Sequence, residues 1–230
     1  MTHKFSTYLI LAVGALGLSA LPALAATCQN GQLGGTYTNT NGSSDSFSCT
    51  LDNGNIVLSN FQYSAPGTGV PADNVGVEVD NPGGDGFGLD FTGGWSASSP
   101  DTTDVDIKFD VTALNGTVIG DVYIILGASS FTGTGTATYE ETFCESGSPC
   151  FEQVENPGVA QTDVVTITPT TSLTIDKDVT LNPGSSGTVN VSSFGNQYST
   201  VPEPRAVSLV LGLGLLAGFA FFKRRQAAQN

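Results

Sequence analysis

The chain is poor in the residues on which most catalytic and nucleic-acid-binding sites depend. Its 230 residues include one histidine, one tryptophan, and seven lysines and arginines against 21 aspartates and glutamates. The histidine is His3, so a serine or cysteine nucleophile has no histidine base in the body of the chain. The formal net charge of −14 repels nucleic acid and anionic lipid, and we expect neither as a partner.

Residues 1–25 are typical of a signal peptide. Lys4 precedes an uncharged apolar run over residues 8–21, which ends in the sequence PALAA. Ala23 and Ala25 supply the small-x-small pattern that signal peptidase requires, so we predict cleavage after Ala25 and export of the rest. An uncleaved N-terminal anchor is the alternative interpretation.

A second apolar run covers residues 206–222 (AVSLVLGLGLLAGFAFF). As a helix at about 1.5 Å per residue it would be roughly 26 Å long, the short end of a transmembrane span. The basic residues Lys223, Arg224 and Arg225 follow at once and predict a cytoplasmic end, with residues 226–230 as a cytoplasmic tail. The predicted topology is a single pass with the bulk of the chain outside.

The tripeptide Pro202-Glu203-Pro204 lies just before this run. Taken alone, Pro-x-Pro is a stiff, extended spacer. Followed by an apolar span and a basic cluster, it resembles the tripartite tail of the PEP-CTERM family over residues 202–225. An ordinary C-terminal anchor is the alternative.

The resemblance to the PEP-CTERM family implies a role for each part of the tail. It implies that Pro202, Glu203 and Pro204 are recognised by exosortase, a membrane protease-transpeptidase. The span is then a transient membrane helix, and the basic residues are a stop signal. The resemblance also implies association with exopolysaccharide and biofilm at the surface of a Gram-negative bacterium.

The chain has four cysteines, and an even number in an exported chain predicts two disulfides. Three pairings are possible. We favour Cys28–Cys49 and Cys144–Cys150 because both close local loops. A metal site is the rival interpretation, but paired C-x-x-C spacings and a histidine ligand are lacking.

Between the two targeting segments the sequence predicts β-structure throughout. Residues 104–112 alternate apolar with charged side chains, the pattern of a strand with one buried face. The pair Asn115-Gly116 follows and predicts a hairpin with residues 117–126 as the partner strand.

Further short apolar runs alternate with clusters of Gly, Pro, Asn and Ser that predict loops. We therefore expect an all-β, antiparallel, jelly-roll-like sandwich over residues 26–195, with a barrel as the alternative. Residues 196–201 are polar and unpatterned, and they predict a short linker to the sorting signal.

Asp80, Asp85 and Asp90 lie in an acidic, glycine-rich stretch, VDNPGGDGFGLDF. Carboxylate and carbonyl oxygens are the ligands that Ca²⁺ prefers. The stretch occurs once, differs from calcium-binding nonapeptide repeats at Gly88, and lacks the EF-hand spacing. A structural Ca²⁺ is therefore a hypothesis beside the default of a charged loop, and we expect no other cofactor.

The sequence predicts no catalytic residue. A Ser–Lys mechanism has only Lys108 and Lys177 available between the targeting segments, and Lys108 alternates with aspartates on a solvated strand face. Paired carboxylates leave a small glycan-active hydrolase as a remote alternative. We favour a non-enzymatic surface or matrix protein, with a Ca²⁺- or carbohydrate-binding adhesin domain as the closer alternative.

Overall fold

The computed structural model describes residues 25–39, 41–43, 47–67, 69–80, 86–127, 129–145, 150–155 and 162–202. These residues form two β-sheets. In spatial order, sheet 1 contains β1 (Ala26–Thr27), β3 (Ser48–Leu51), β4 (Ile56–Ser64), β7 (Thr103–Ala113), β13 (Ser172–Asn182), β10 (Thr136–Glu145) and β11 (Cys150–Glu155).

Sheet 2 packs against sheet 1. In spatial order it contains β12 (Thr162–Thr170), β8 (Thr117–Leu126), β14 (Thr188–Pro202), β6 (Gly86–Ser98), β5 (Gly76–Asp80) and β2 (Gly31–Gln32), and β9 (Ser129–Phe131) also pairs with β14. Among the described strands only β1 and β3 pair in parallel. Short helical turns lie at Leu33–Tyr37, Asp52–Gly54 and Ala72–Asn74.

The core lies between the two sheets, where the alternating apolar side chains of each strand meet. In β7 the predicted alternation is confirmed, because its apolar residues are buried and Asp104 and Asp106 are exposed. Aromatic rings join the sheets: the ring centroids of Phe91 in β6 and Phe109 in β7 are 6.0 Å apart. The predicted all-β sandwich is confirmed at this level, whereas the jelly-roll connectivity stays a prediction.

The turn at Asn115-Gly116 has the predicted backbone conformation, but the two strands that it connects lie in different sheets. Asn115 and Gly116 have φ angles of 57° and 73°, the left-handed values that favour this pair. However, β7 lies between β4 and β13 in sheet 1, and β8 lies between β12 and β14 in sheet 2. The predicted β7–β8 hairpin is therefore wrong. Both edges of β7, and both edges of β8, pair with strands that are distant in sequence.

Residues 196–201 were expected to form a linker, and that prediction is also wrong. They belong to β14, which pairs with β6 as far as Ser199 and with β8 as far as Pro202. Asn196 and Tyr198 are fully buried. The strand therefore continues to the first residue of the predicted sorting motif, and the sandwich extends beyond residue 195.

The disulfide Cys28–Cys49 is confirmed, with the two Cα atoms 4.8 Å apart. Cys144 in β10 is the direct antiparallel partner of Cys150 in β11. This backbone register brings the two residues opposite each other, and their pairing stays a prediction.

Several predicted features lie outside the described residues: Ala23, Asp85, Glu203, Pro204, the apolar run 206–222, Lys223, Arg224 and Arg225. Over the ranges that are described, no helix is long and apolar enough to span a bilayer.

Candidate functional site

A buried polar cluster lies between the two sheets and consists of Glu141, Lys177 and Asn196. The side chains of Lys177 and Glu141 are 3% and 4% exposed, and Asn196 is fully buried. Taking two charged groups out of water costs several kcal/mol per ion unless each is paired and hydrogen-bonded. A cluster of this kind in the core therefore calls for a specific explanation.

The strand pattern places each member of the buried polar cluster on a core-facing position. Lys177 alternates with Ile175 and Val179 along β13, and all three face inward. Glu141 in β10 is the direct register partner of Lys177. Asn196 comes from the opposite sheet, where β14 directs it toward the core.

Glu141 binds the other two members through its two carboxylate oxygens. Oε2 accepts a hydrogen bond from Lys177 Nζ, and Oε1 accepts one of 2.5 Å from Asn196 Nδ2. Lys177 Nζ also donates to the backbone carbonyl of Gly195 at 3.2 Å. Asn196 Nδ2 donates to the Tyr123 carbonyl at 3.3 Å. One carboxylate thus holds the amine and the amide side by side.

The acceptor oxygen of Asn196 is the unsatisfied atom of the buried polar cluster. Its Oδ1 is buried and has no hydrogen-bond partner within the described ranges. Buried polar atoms in proteins are nearly always hydrogen-bonded. This oxygen is therefore free to take a proton or a hydrogen bond from a group that moves toward it.

Burial pushes both titratable members toward their neutral forms. Desolvation raises the pKa of Glu141, opposed by the charge of Lys177 and by the hydrogen bonds from Lys177 and Asn196. Desolvation lowers the pKa of Lys177, opposed mainly by Glu141. Burial therefore favours the neutral form of each group, and a neutral lysine amine is a nucleophile.

The buried polar cluster was not predicted from the sequence. Lys177 was considered only as a remote base for a Ser–Lys mechanism, Asn196 only as part of the predicted linker, and Glu141 in neither role. The available signal was a charged residue at an apolar position of an alternating strand, as for Lys177 in SLTIDKDVTLN.

The outer face of sheet 2 carries two of the three predicted Ca²⁺ ligands. Asp80 accepts a hydrogen bond from Gln197 Nε2. Burial, followed by the charges of Asp80 and Glu78, raises the pKa of Asp90. Within the described ranges, no three His, Cys, Asp or Glu side chains are placed to hold a metal ion. Asp85 lies outside those ranges, so the Ca²⁺ site stays a hypothesis.

A cleft of about 310 Å³ opens on the outer face of sheet 1 beside the turn at residues 41–43. It is lined mainly by polar groups, including Gln62, Asp106 and the ion pair between Lys108 and Asp176. The side chain of Lys108 is 42% exposed, which confirms the solvated strand face expected for it.

The single tryptophan does not line the cleft. Trp95 is fully buried, and its indole N–H donates to the Tyr63 hydroxyl at 2.9 Å. Tyr63 itself borders the cleft and is partly exposed. Tyr63 lies opposite the buried Ile107 in the register of β4 with β7, so its side chain is directed toward the core.

The end of β14 includes Pro202, the first residue of the predicted sorting motif. Pro202 lies opposite Thr117 of β8, and Val201 is 42% exposed. Thr200 Oγ1 donates a hydrogen bond to Asp52 Oδ2 at 3.0 Å, which fixes the strand two residues before Pro202. Pro202 is therefore held by the fold, at the rim of sheet 2.

No family model and no curated protein matches the chain. The solved structures that are similar to parts of it include the following two. TmCBM61 in complex with β-1,4-galactotriose aligns with 62% of this chain and 88% of its own, at 8% identity and a TM-score of 0.33. The enzymatically active domain of tailspike protein 4 of bacteriophage CBA120 aligns with 60% of this chain and 19% of its own, at 16% identity and a TM-score of 0.27. Similarities this low do not establish a shared fold, and they leave the ligand of this chain open.

Proposed function

We propose that this chain is a non-enzymatic, exported surface or matrix protein whose tail is a PEP-CTERM sorting signal processed by an exosortase. The observation that carries the proposal is the position of the folded domain. Its first described strand begins at Ala26, directly after the predicted signal peptidase site, and its last described strand reaches Pro202, the first residue of the motif. The sandwich thus occupies the interval between the two predicted targeting segments.

The state of the two lysines supports a non-enzymatic role. Lys177 is paired with Glu141 in the core, and Lys108 is paired with Asp176 on the surface. A serine nucleophile needs a neutral, accessible base beside it. Neither lysine is placed in that way, since one is enclosed and the other is held by a carboxylate.

The surface charge supports a role in an extracellular matrix. Residues 26–201 contain two lysines against 20 aspartates and glutamates. Both sheets carry carboxylates on their outer faces, such as Asp106 and Asp178 on sheet 1. A surface of this kind stays soluble at high concentration, and divalent cations can bridge it to acidic exopolysaccharide.

The sorting proposal is tested by producing the full chain in an exosortase-containing Gram-negative host and in an isogenic strain without the enzyme. We expect surface-extracted protein from the first strain to lack the C-terminal basic residues by mass analysis. Glu203→Ala should leave the precursor in the inner membrane, whereas Glu78→Ala, an exposed acid on β5, should be sorted normally. An intact C-terminus in both strains would contradict the proposal.

The cleft on sheet 1 favours a second candidate function, a carbohydrate-binding adhesin domain that acts with or without Ca²⁺. Its polar lining, which includes the exposed Gln62, consists of groups that hydrogen-bond to sugar hydroxyls. Binding of host exopolysaccharide should then weaken at least fivefold on Gln62→Ala and be unchanged by Glu78→Ala. Equal binding by both variants, with and without millimolar Ca²⁺, would exclude the cleft as the site.

A further inference from the structure

We propose that Lys177 and Asn196 form an intramolecular isopeptide bond that links the two sheets covalently, with Glu141 as the proton-transfer group. The product is an amide between Lys177 Nζ and Asn196 Cγ, and the leaving group is ammonia. This inference is independent of the sorting proposal, since it rests on the core of the sandwich alone.

The geometry brings the reacting groups to one carboxylate. Lys177 Nζ and Asn196 Nδ2 both donate to Glu141, one to each oxygen. Nζ also contacts the carbonyl oxygen of Gly195, the residue directly before Asn196, at 3.2 Å. The amine is therefore held beside the backbone that carries the amide. Such positioning replaces a bimolecular encounter with an intramolecular one, which is worth many orders of magnitude in rate.

The surroundings favour the required protonation states. Attack needs a neutral amine and an acid that can protonate the amide. Burial raises the pKa of Glu141 and lowers that of Lys177. Transfer of one proton from Nζ to the carboxylate gives the neutral amine and the protonated acid together. The unpartnered Oδ1 of Asn196 can then accept a hydrogen bond from the protonated carboxyl.

The reaction balances without a further reactant. The Nζ lone pair forms a bond to Cγ, and the electron pair of the carbonyl moves to Oδ1. Glu141 then carries one hydrogen from Nζ to Nδ2, the Cγ–Nδ2 bond breaks, and Nδ2 leaves as ammonia. The carbonyl re-forms, and the proton that Glu141 first took from the Lys177 ammonium passes to the ammonia, which departs as ammonium. Glu141 thereby returns to its carboxylate form, as a general acid and base must.

An apolar shell shields the site from water. Phe194 lies on the same face of β14 as Asn196, with its ring centroid 5.9 Å from Nζ. Phe143 and Tyr198 are also fully buried. Exclusion of water strengthens the electrostatic interactions in the site and protects the intermediate from hydrolysis.

The bond predicts an altered tryptic digest of the full chain, produced in a host without exosortase and then reduced and denatured. An unlinked chain gives two peptides, residues 109–177 and 178–205. A linked chain cannot be cut after Lys177, because its amine is acylated. It should give one peptide, residues 109–205, lighter than its sequence mass by one ammonia, with fragment ions that join Lys177 to Asn196.

Three variants serve as controls. Lys177→Arg keeps a tryptic site but removes the reactive amine, so it should give the two separate peptides. Asn196→Ala removes the amide and should give the same result. Glu141→Gln keeps the volume but loses the acid, and it should slow bond formation by roughly 100-fold or more.

Two other events must be distinguished from the bond. Asn115-Gly116 lies in the same peptide and also loses ammonia if it cyclises to a succinimide, but this loss would persist in Lys177→Arg. A missed cleavage after Lys177 would give the peptide 109–205 at its full sequence mass, without the loss of ammonia. Either that result or two separate peptides from the folded wild-type chain would overturn the proposal, whether or not the variants fold.

Discussion

Trp95 in sheet 2 and Tyr63 in sheet 1 are joined by a 2.9 Å hydrogen bond from the indole N–H to the phenol oxygen. The Tyr63 hydroxyl in turn donates to the carbonyl of Val70 at 2.8 Å. One hydroxyl therefore satisfies the buried indole and fixes the loop after β4. This bridge and the buried polar cluster are two separate polar links across the core.

Tyr63→Phe should destabilise the fold by about 1–3 kcal/mol, because it leaves the fully buried Trp95 N–H without an acceptor. Urea denaturation followed by the fluorescence of the single tryptophan measures this loss directly. The matched control is Tyr37→Phe, whose hydroxyl donates to the carbonyl of the exposed residue Gln29. Water can replace that bond, so an equal loss in both variants would contradict the assignment.

The Cys28–Cys49 disulfide should stabilise the domain by about 3 kcal/mol, since it closes a loop with a sequence separation of 21 in the unfolded chain. The double variant Cys28→Ala/Cys49→Ala should show this loss in chemical denaturation. Adding reductant to the double variant should change nothing at this site. A double variant as stable as the oxidised wild type would show that the bridge contributes nothing.

Gly116→Ala should cost about 1 kcal/mol, because residue 116 has a φ of 73° that an alanine adopts only with strain. The comparison is Gly120→Ala on β8, where an added Cβ would meet Val201 at ordinary contact distances of 3.8 and 4.0 Å. Thermal unfolding of both variants separates backbone strain from loss of glycine as such. Similar melting temperatures for the two would contradict this explanation.

Asp106→Asn should stabilise the domain at neutral pH by roughly 0.5 kcal/mol, because Asp106 lies directly opposite Asp178 in the sheet. Although Asp106 is exposed, neighbouring groups of the cleft displace part of its hydration, and this desolvation, followed by the charges of Asp176 and Asp178, raises the pKa of Asp106. A raised carboxyl pKa adds stability below the ordinary carboxyl range, and this contribution is lost as pH rises through the raised value.

The gain from Asp106→Asn should therefore shrink as the pH falls from neutral into the mildly acidic range. Melting curves at several pH values, with Asp101→Asn as an exposed control, measure this trend. A gain that grows on acidification would have the wrong sign and would refute the like-charge explanation.

Local patterns in the sequence predicted local structure well. The alternation in β7, the positive φ angles at Asn115-Gly116 and the Cys28–Cys49 bridge all follow from short-range stereochemistry or loop length. The partners of a strand do not, because they depend on which distant segments cover its two edges. That is why the predicted hairpin partner of β7 was wrong.

The polar end of β14 was missed for a related reason. Asn196 and Ser199 are polar although they are buried, and Gln197 is only partly exposed, so the stretch lacks the apolar alternation of β7. Only the neighbouring strands β6 and β8 make it a strand, by pairing with both of its edges. The same tertiary context makes Asn196 a member of the buried polar cluster.

The position of β14 also decides how the domain would respond to tension. The strand pairs with β6 as far as Ser199 and with β8 as far as Pro202. A load applied beyond Pro202 would act along the strand, parallel to its length, and would shear two ladders of hydrogen bonds at once. Resistance to such a pull is shared among many hydrogen bonds that must break together, so the sandwich would resist a force applied at the end of β14.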